Sequence, residues 1–285
     1  MKLGFIDVGS NSVRLMTWAD GKSLYKRVQT TRLAEGLSVS GCLSEAAAMR
    51  TAAAIKQFYL QAVGDGAEKV YVFATEAMRS AKNGAEIKAQ IERESGLSID
   101  LISGAREAEI GLLGALGDGD GCIVDVGGAS SEVIVRKNGA IVYAKSLPIG
   151  AVRIADACGQ NKQKICDYVE SVVREFCDAP QMPVTAIGGT ATTLAAVDLA
   201  LATYDGGLVT GHKMSATRLL EWAEKLLSIS VEDRKKIVGM DQKRAEIIGG
   251  GATLLYRIVR EIGADEVRVS DEDNLEGYAR GITGR

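Results

Sequence analysis

Short apolar runs, broken by Gly, Asp and Asn, alternate along this chain with longer stretches of helical period. Residues 3–8 predict an apolar strand, Gly9-Ser10-Asn11 a tight turn, and residues 12–18 a second strand. Asp20-Gly21 is a hairpin signal ahead of a third strand over 23–31. An Ala-rich stretch over 44–63, with Ser44 placed to cap it, predicts a helix. A buried strand over 70–74, a helix over 81–94, a short strand over 98–102 and a helix over 106–116 follow.

The order then begins again. Residues 122–126 predict a strand, Gly127-Gly128-Ala129-Ser130 a turn, 131–135 a strand, Asn138-Gly139 a hairpin turn and 140–146 a third strand. Asp7 and Asp125 stand 118 residues apart, and so do Gly21 and Gly139. Ile6-Asp7-Val8-Gly9 therefore meets Val124-Asp125-Val126-Gly127 in register, and the strand at 70–74 has a counterpart near 184–187. Two such halves imply a duplicated α/β domain. The Gly/Asp run from Gly117 to Gly121 is the natural boundary, giving domains over 1–117 and 118–285. The remainder predicts helices over 161–176, 190–200, 215–227, 231–238 and 242–262, a strand over Glu266–Val269 and a last helix from about 275.

Composition narrows the function classes. The chain has 285 residues, 46% hydrophobic and 25% charged, with 34 Lys+Arg against 37 Asp+Glu and a net charge of −3. No global positive field draws it onto nucleic acid. His212 is the one histidine, which excludes a multi-His metal site and an HD-type di-metal phosphohydrolase. Five cysteines without a CxxC pair read as the reduced thiols of a cytosolic protein. Asp7 comes too early for a secretory leader, and the uncharged stretch between Asp178 and Asp198 is too polar to span a membrane. The expectation is a cytoplasmic protein with neither a nucleic-acid nor a membrane partner.

Three Gly-rich turns carry the candidate chemistry. Gly9-Ser10-Asn11-Ser12 and Gly127-Gly128-Ala129-Ser130-Ser131 follow the first strand of each half, and such turns present backbone N–H groups as anion nests. Gly188-Gly189-Thr190 follows a strand and opens a helix, a second kind of phosphate site. At equivalent places in the repeat, the first two turns are expected to face each other across a cleft and clamp a phosphate chain. Asp7 and Asp125 end strands there. They suit Mg²⁺, or else bond their own turns. Glu132 is a further metal ligand or a holder of backbone. Glu107 and Glu109 open a helix, where an acid serves as general base for water or complements the helix N-terminus. Arg79, after the strand at 70–74, is placed to fork onto phosphate or lies on the surface. His212 reads as structural.

Together these pieces resemble the exopolyphosphatase / guanosine pentaphosphate phosphohydrolase (Ppx/GppA) family of the actin–sugar kinase–Hsp70 superfamily. The matching segments are Ile6-Asp7-Val8-Gly9-Ser10-Asn11-Ser12-Val13-Arg14-Leu15, Ala74-Thr75-Glu76-Ala77-Met78-Arg79 and Ile102-Ser103-Gly104-Ala105-Arg106-Glu107-Ala108. Val124 to Glu132, Ile187 to Leu194 and the closing Val269-Ser270-Asp271 with Glu276-Gly277 complete them, in the family's order. The resemblance implies an α/β fold of two duplicated RNase H-like (actin-like ATPase) domains with a central interdomain cleft. It implies Glu107 as catalytic acid/base, Arg79 on phosphate, Asp125 and Glu132 at the metal or phosphate loop, and the turns at 9–12 and 127–131 as phosphate loops.

The implied activity is release of orthophosphate from the end of polyphosphate or removal of the 5′ γ-phosphate of guanosine pentaphosphate, with Mg²⁺ as cofactor and a homodimer as the family's assembly. Two departures stand out. Ala129 occupies a position that is often Gly, and Ser270-Asp271-Glu272-Asp273-Asn274-Leu275-Glu276-Gly277 carries extra acids. The C-terminal helical domains of longer relatives are not in this chain, which bears on preference for very long polyphosphate. A superfamily kinase and a non-catalytic nucleotide-binding regulator are the competing readings, separable by phosphate release and by ATP with candidate acceptors.

Overall fold

The computed structural model describes residues 1–284, and they form two compact units. The first comprises Met1–Gly114 with Asn274–Arg285, the second Ala115–Asp273. The sequence boundary at 117/118 lies close to this division. The last helix differs: instead of closing the second domain, it packs with the first.

In chain order the first unit holds β1 (Lys2–Val8), β2 (Ser12–Ala19), β3 (Lys22–Thr30), α1 (Leu37–Ser40), α2 (Glu45–Gly64), β4 (Lys69–Ala74), α3 (Glu76–Ser80), α4 (Gly84–Ser95), β5 (Asp100–Leu101) and α5 (Gly104–Leu116). The second holds β6 (Gly121–Val126), β7 (Ser131–Lys137), β8 (Ala140–Leu147), α6 (Ala151–Cys158), α7 (Lys162–Val173), β9 (Val184–Ile187), α8 (Gly188–Asp198), α9 (Gly206–Val209), β10 (Lys213–Ser215), α10 (Ala216–Ser228), α11 (Val231–Arg234), α12 (Ile248–Glu261) and β11 (Glu266–Val269). The closing helix is α13 (Asn274–Thr283).

The duplication is visible in the hydrogen bonding. The first sheet runs β3-β2-β1-β4-β5 and the second β10-β11-β9-β6-β7-β8, so the second repeats the order of the first and adds an antiparallel edge strand, β10. In each, an antiparallel meander precedes a parallel strand, β1 with β4 and β6 with β9. The hairpin turns match: Asp20 and Asn138 have φ of 52° and 54°, and the glycines after them 79° and 74°. Two central residues in the left-handed region make the turn whose twist suits a tight hairpin. Even the ladder irregularities coincide, at Thr17/Trp18 and at Val135/Arg136.

Packing explains where expected and observed elements differ. Ser44 caps α2 by accepting from the Ala47 amide at 3.2 Å, as its sequence predicts. The helix expected over 81–94 starts later, at Gly84, because Asn83 turns its side chain to the Leu43 backbone instead of continuing the helix. The helix expected over 242–262 is confined to α12; residues 242–247 are turns, held by the Arg234 guanidinium, which donates to the Ala245 carbonyl at 3.1 Å. Arg234 is itself buried, and burial depresses its pKa below the usual guanidinium value. The core of the first unit lies between its sheet and α2, α3 and α4, with Phe5, Phe73 and Tyr278 on the other face. That of the second unit is dominated by α8, α10 and α12 against β6, β9 and β11.

Candidate active site

In the first unit the candidate site residues lie at the carboxyl ends of β1, β4 and β5. These strands are parallel, so the segments that leave them emerge at one edge of the sheet. The turn after β1 is closed by the Gly9 amide donating to the Ser12 carbonyl at 3.1 Å. The carbonyls of Ser10 and Asn11 accept from Ala34, Thr31 and Arg32, whereas the Ser10 and Asn11 amides make no hydrogen bond among the described residues. Consecutive amides left open on one turn form the kind of concavity that suits an anion. Asp7 is buried beside its cross-strand partner Arg14, whose Nε donates to Asp7 Oδ2 at 3.0 Å.

Arg79 and Glu107 come together here from different elements. Arg79 lies on α3, directly after β4, and Glu107 on the first turn of α5, where the Ser103 hydroxyl accepts from the Arg106 amide and caps the helix. Arg79 Nη1 donates to Glu107 Oε2 at 2.9 Å and to the Ile102 carbonyl at 2.9 Å, while Nη2 pairs with Glu76. Burial works against the guanidinium charge, but Glu107 and Glu76 outweigh it and hold the Arg79 pKa above its ordinary value. Glu109, the other acid of this helix, is exposed.

In the second unit the equivalent turn repeats the first. The Gly127 amide donates to the Ser130 carbonyl at 3.0 Å, and the carbonyls of Gly127 and Gly128 accept from Ala151, Val152 and Arg153 on α6. The amides of Gly128, Ala129 and Ser130 make no hydrogen bond among the described residues, leaving three consecutive donors for an anion. A side chain on Gly150 would overlap the Gly128 carbonyl, so α6 can approach this turn only through a glycine. The Ser131 hydroxyl donates to the Ile149 carbonyl at 2.7 Å and that of Thr190 to the Val126 carbonyl at 3.0 Å; both hydroxyls brace the turn from beneath.

The carboxylates of this unit differ from those of the first. Asp125 and Glu132 stand directly opposite on β6 and β7, the places that Asp7 and Arg14 hold on β1 and β2. The duplicated acid–base pair has become an acid–acid pair. Like charges directly opposite on a sheet destabilise it, and a cation offsets that. Glu132 Oε1 accepts from the Ser146 hydroxyl at 2.6 Å, which orients it. Gly188, at φ 78°, leaves the room that the Asp125 carboxylate fills, since a Cβ there would overlap it. Two carboxylates suit Mg²⁺, which keeps waters and completes its shell from substrate phosphates. Among the described residues no group of three or more His, Cys, Asp or Glu side chains forms a ready-made metal cage.

Arg244 is the residue that the sequence reading passed over. Its guanidinium lies over Gly189, where any Cβ would overlap it, and so stands beside the third Gly-rich turn. Its segment reads as the start of a long helix, and only its distance contacts reveal it. His212 is structural, bonded through Nε2 to Asp198 Oδ2 at 2.7 Å.

Solved and curated proteins resemble this chain over its full length. A crystal structure of the Aquifex aeolicus member of the Ppx/GppA protein family superimposes with a TM-score of 0.80 and 28% identity, covering 99% of this chain and 97% of that one. Exopolyphosphatase 2 of Mycobacterium tuberculosis is 27% identical over 316 residues, covering 99% of both chains. A guanosine-5'-triphosphate,3'-diphosphate pyrophosphatase of Aeromonas salmonicida is 25% identical over 98% of this chain but only 59% of its own length. No helix is long and apolar enough to cross a membrane among the described residues. The family model for Ppx/GppA phosphatases matches residues 18–282, nearly the whole of both duplicated halves, and the chain belongs to the Ppx/GppA phosphatase family.

Proposed function

We propose that this protein is a Mg²⁺-dependent exopolyphosphatase that releases orthophosphate from the end of a polyphosphate chain. The observation that carries the reading is the pairing of Arg79 with Glu107: a guanidinium suited to a phosphoryl group lies within hydrogen-bonding distance of a carboxylate suited to water. The full-length match to an exopolyphosphatase supports it over the guanosine pentaphosphate alternative, whose curated relative is much longer than this chain.

In this mechanism Glu107 accepts the proton of the attacking water. Arg79 neutralises charge on the transferring phosphoryl group, and its bond to the Ile102 carbonyl fixes the plane of its fork. The amides of Ser10, Asn11, Gly128, Ala129 and Ser130 hold phosphate oxygens, as does the α8 N-terminus at Gly188, Gly189 and Thr190, with Arg244 alongside. Asp125 and Glu132 would hold Mg²⁺, with Asp7 kept in place by Arg14. When bound, the ion supplies charge neutralisation to the phosphate oxygens. The protein acts in the cytoplasm, as a homodimer in the manner of the family.

The test is orthophosphate release with Mg²⁺ from short polyphosphate, long polyphosphate and guanosine pentaphosphate in parallel, with Glu107→Gln as control. Release that the variant abolishes, with the highest kcat/KM on polyphosphate, supports the reading. A higher kcat/KM on guanosine pentaphosphate replaces it with the alternative. No release from a folded protein that binds all three moves the assignment to a kinase or a regulator.

A further inference from the structure

Arg79 is shared between two carboxylates, and the sharing decides how it meets Glu107. A guanidinium can close on a carboxylate as a two-point fork, with two nitrogens on two oxygens. The contact here has one point. Nη1 donates to Glu107 Oε2 at 2.9 Å and to the Ile102 carbonyl at 2.9 Å, while Nη2 is drawn to Glu76. Glu76 is the first residue of α3 and stands one turn before Arg79, so the two meet on one face of a five-residue helix. The Arg79 amide donates to the Thr75 carbonyl at 3.2 Å, which closes that turn. On the other side a Cβ on Gly104 would lie 3.8 Å from Nη2. Nη2 is therefore held between Glu76 and the start of α5.

These bonds use three of the five N–H donors of Arg79. The Nε–H and the second Nη2–H make no hydrogen bond among the described residues, so Arg79 can meet a phosphoryl group without leaving either acid. The other charged groups of α5 face elsewhere. Arg106 reaches toward α13, where a Cβ on Gly281 would lie 3.9 Å from its Nη2, and Glu109 projects from another side of the helix than Glu107. Arg79, with Glu76 behind it, is the cation that α3 sets against Glu107. A two-point fork would place both oxygens of that carboxylate against one cation and weaken it as an acceptor of a proton from water. We propose that Glu76 is a positioning residue: by holding Nη2 it keeps Arg79 from closing as a fork on Glu107 and so keeps that carboxylate basic. Its part in turnover rests on the hydrolase reading; its hold on Arg79 does not.

Carbon-13 NMR of the full chain, labelled at the glutamate carboxyl groups, reads Glu107 directly. Its resonance is the one missing from Glu107→Gln, and its titration midpoint is compared in the parent, Glu76→Gln and Glu76→Ala. Glutamine keeps an acceptor for Nη2 without the charge, whereas alanine removes both. Losing a negative neighbour lowers the midpoint in both variants, but the fork can close only in Glu76→Ala, whose midpoint is expected about 1 pH unit or more below that of Glu76→Gln. Unchanged far-ultraviolet circular dichroism establishes that both variants are folded. Equal midpoints in the two variants would show that Glu76 acts through its charge alone and would overturn the proposal.

Phosphate release from tripolyphosphate with Mg²⁺ then tests the consequence. Glu76→Ala is expected to lower kcat by about tenfold or more, a part of the ~10²–10⁴-fold worth of a general base, with KM within a few-fold of the parent. The acidic limb of its kcat/KM profile is expected to move to lower pH, and Glu76→Gln to recover most of the lost kcat. A Glu76→Ala variant that turns over at the parental rate, or a Glu76→Gln variant that loses as much as Glu76→Ala, overturns the positioning role. Absence of any phosphate release by the parent refutes the hydrolase reading, while the titration still decides whether Glu76 holds Arg79.

Discussion

Arg79 Nη1 lies 2.9 Å from Glu107 Oε2, a contact that joins the helix after β4 to the helix after β5. The two groups have separable roles, because a glutamine at 107 keeps an oxygen for Arg79 but cannot take a proton from water. Glu107→Gln is therefore expected to lower kcat by about 10²–10⁴-fold, the usual worth of a general base, with a KM within a few-fold of the parent. Phosphate release under saturating substrate, alongside a thermal melt, checks this. An unchanged kcat would remove Glu107 from the chemistry.

The opposition of Asp125 and Glu132 predicts how the metal requirement responds to mutation. Glu132→Gln keeps the acceptor for Ser146 and removes one negative charge from the pair. The Mg²⁺ concentration for half-maximal activity is expected to rise by about tenfold or more, since even outer-shell changes cost about 10–100-fold in metal affinity. Arg14 occupies the matching place in the first half, so Arg14→Gln is not expected to shift the Mg²⁺ requirement comparably. Activity against Mg²⁺ concentration for the two variants decides between them; equal shifts would sink the assignment of the ion to the second unit.

The duplicated fold was legible because its landmarks are local. Asp20-Gly21 and Asn138-Gly139 demand the same left-handed turn, and alternating apolar residues on either side set the same meander twice. What escaped notice depends on long-range contacts. Arg79 and Glu107 each stand out in the sequence, but nothing there shows that they bond to each other across twenty-eight residues. α6 lacks a Ser, Thr, Asp or Asn cap because its N-terminus is taken up by the Gly127 and Gly128 carbonyls, with Gly150 at the cap position. The residues around Arg244 have ordinary helix propensity, which is overridden where Arg234 draws in the Ala245 carbonyl. α13 shows a helical pattern in sequence, but not which unit it joins.

Acid stability is predicted to depend on Asp198. Burial raises its pKa, but hydrogen bonds from Trp222, Arg218 and His212 outweigh that and hold it below the ordinary 3.8. A carboxylate depressed in the folded state contributes stability that is present above its unfolded pKa and is lost as pH falls through the folded one. Asp198→Asn is expected to lose about 1–3 kcal/mol at neutral pH, the scale of hydrogen bonds to a charged group. The difference from the parent should shrink below about pH 4, where the parent's own carboxyl begins to protonate. Urea unfolding at pH 7 and pH 3 measures both ends; a gap that is the same at both would show that the charge of Asp198 contributes nothing.

The closing helix α13 is predicted to set the position of the Glu107 helix within the first unit. Gly277 lies so close to the Ile110 carbonyl of α5 that a Cβ would overlap it, and Ile110 is one helical turn beyond Glu107. Arg280 Nη1 donates to the carbonyls of Leu113 and Gly114 at 2.8 and 2.7 Å, and Tyr278 stacks on Phe73 with ring centroids 4.3 Å apart. Buried Glu276 pairs with Lys26 at 2.8 Å. These contacts leave α5 no direction in which to yield except away from α13. Gly277→Ala is expected to cost about 1–3 kcal/mol, the range for overpacking, and to lower kcat by displacing Glu107. Gly281→Ala is the control, because its nearest neighbour would be Arg106 Nη2 at 3.9 Å. That change is expected to be neutral or stabilising by up to about 1 kcal/mol through helix propensity. If both alanine variants melt together and turn over at the parental rate, the close approach of α13 does not position Glu107.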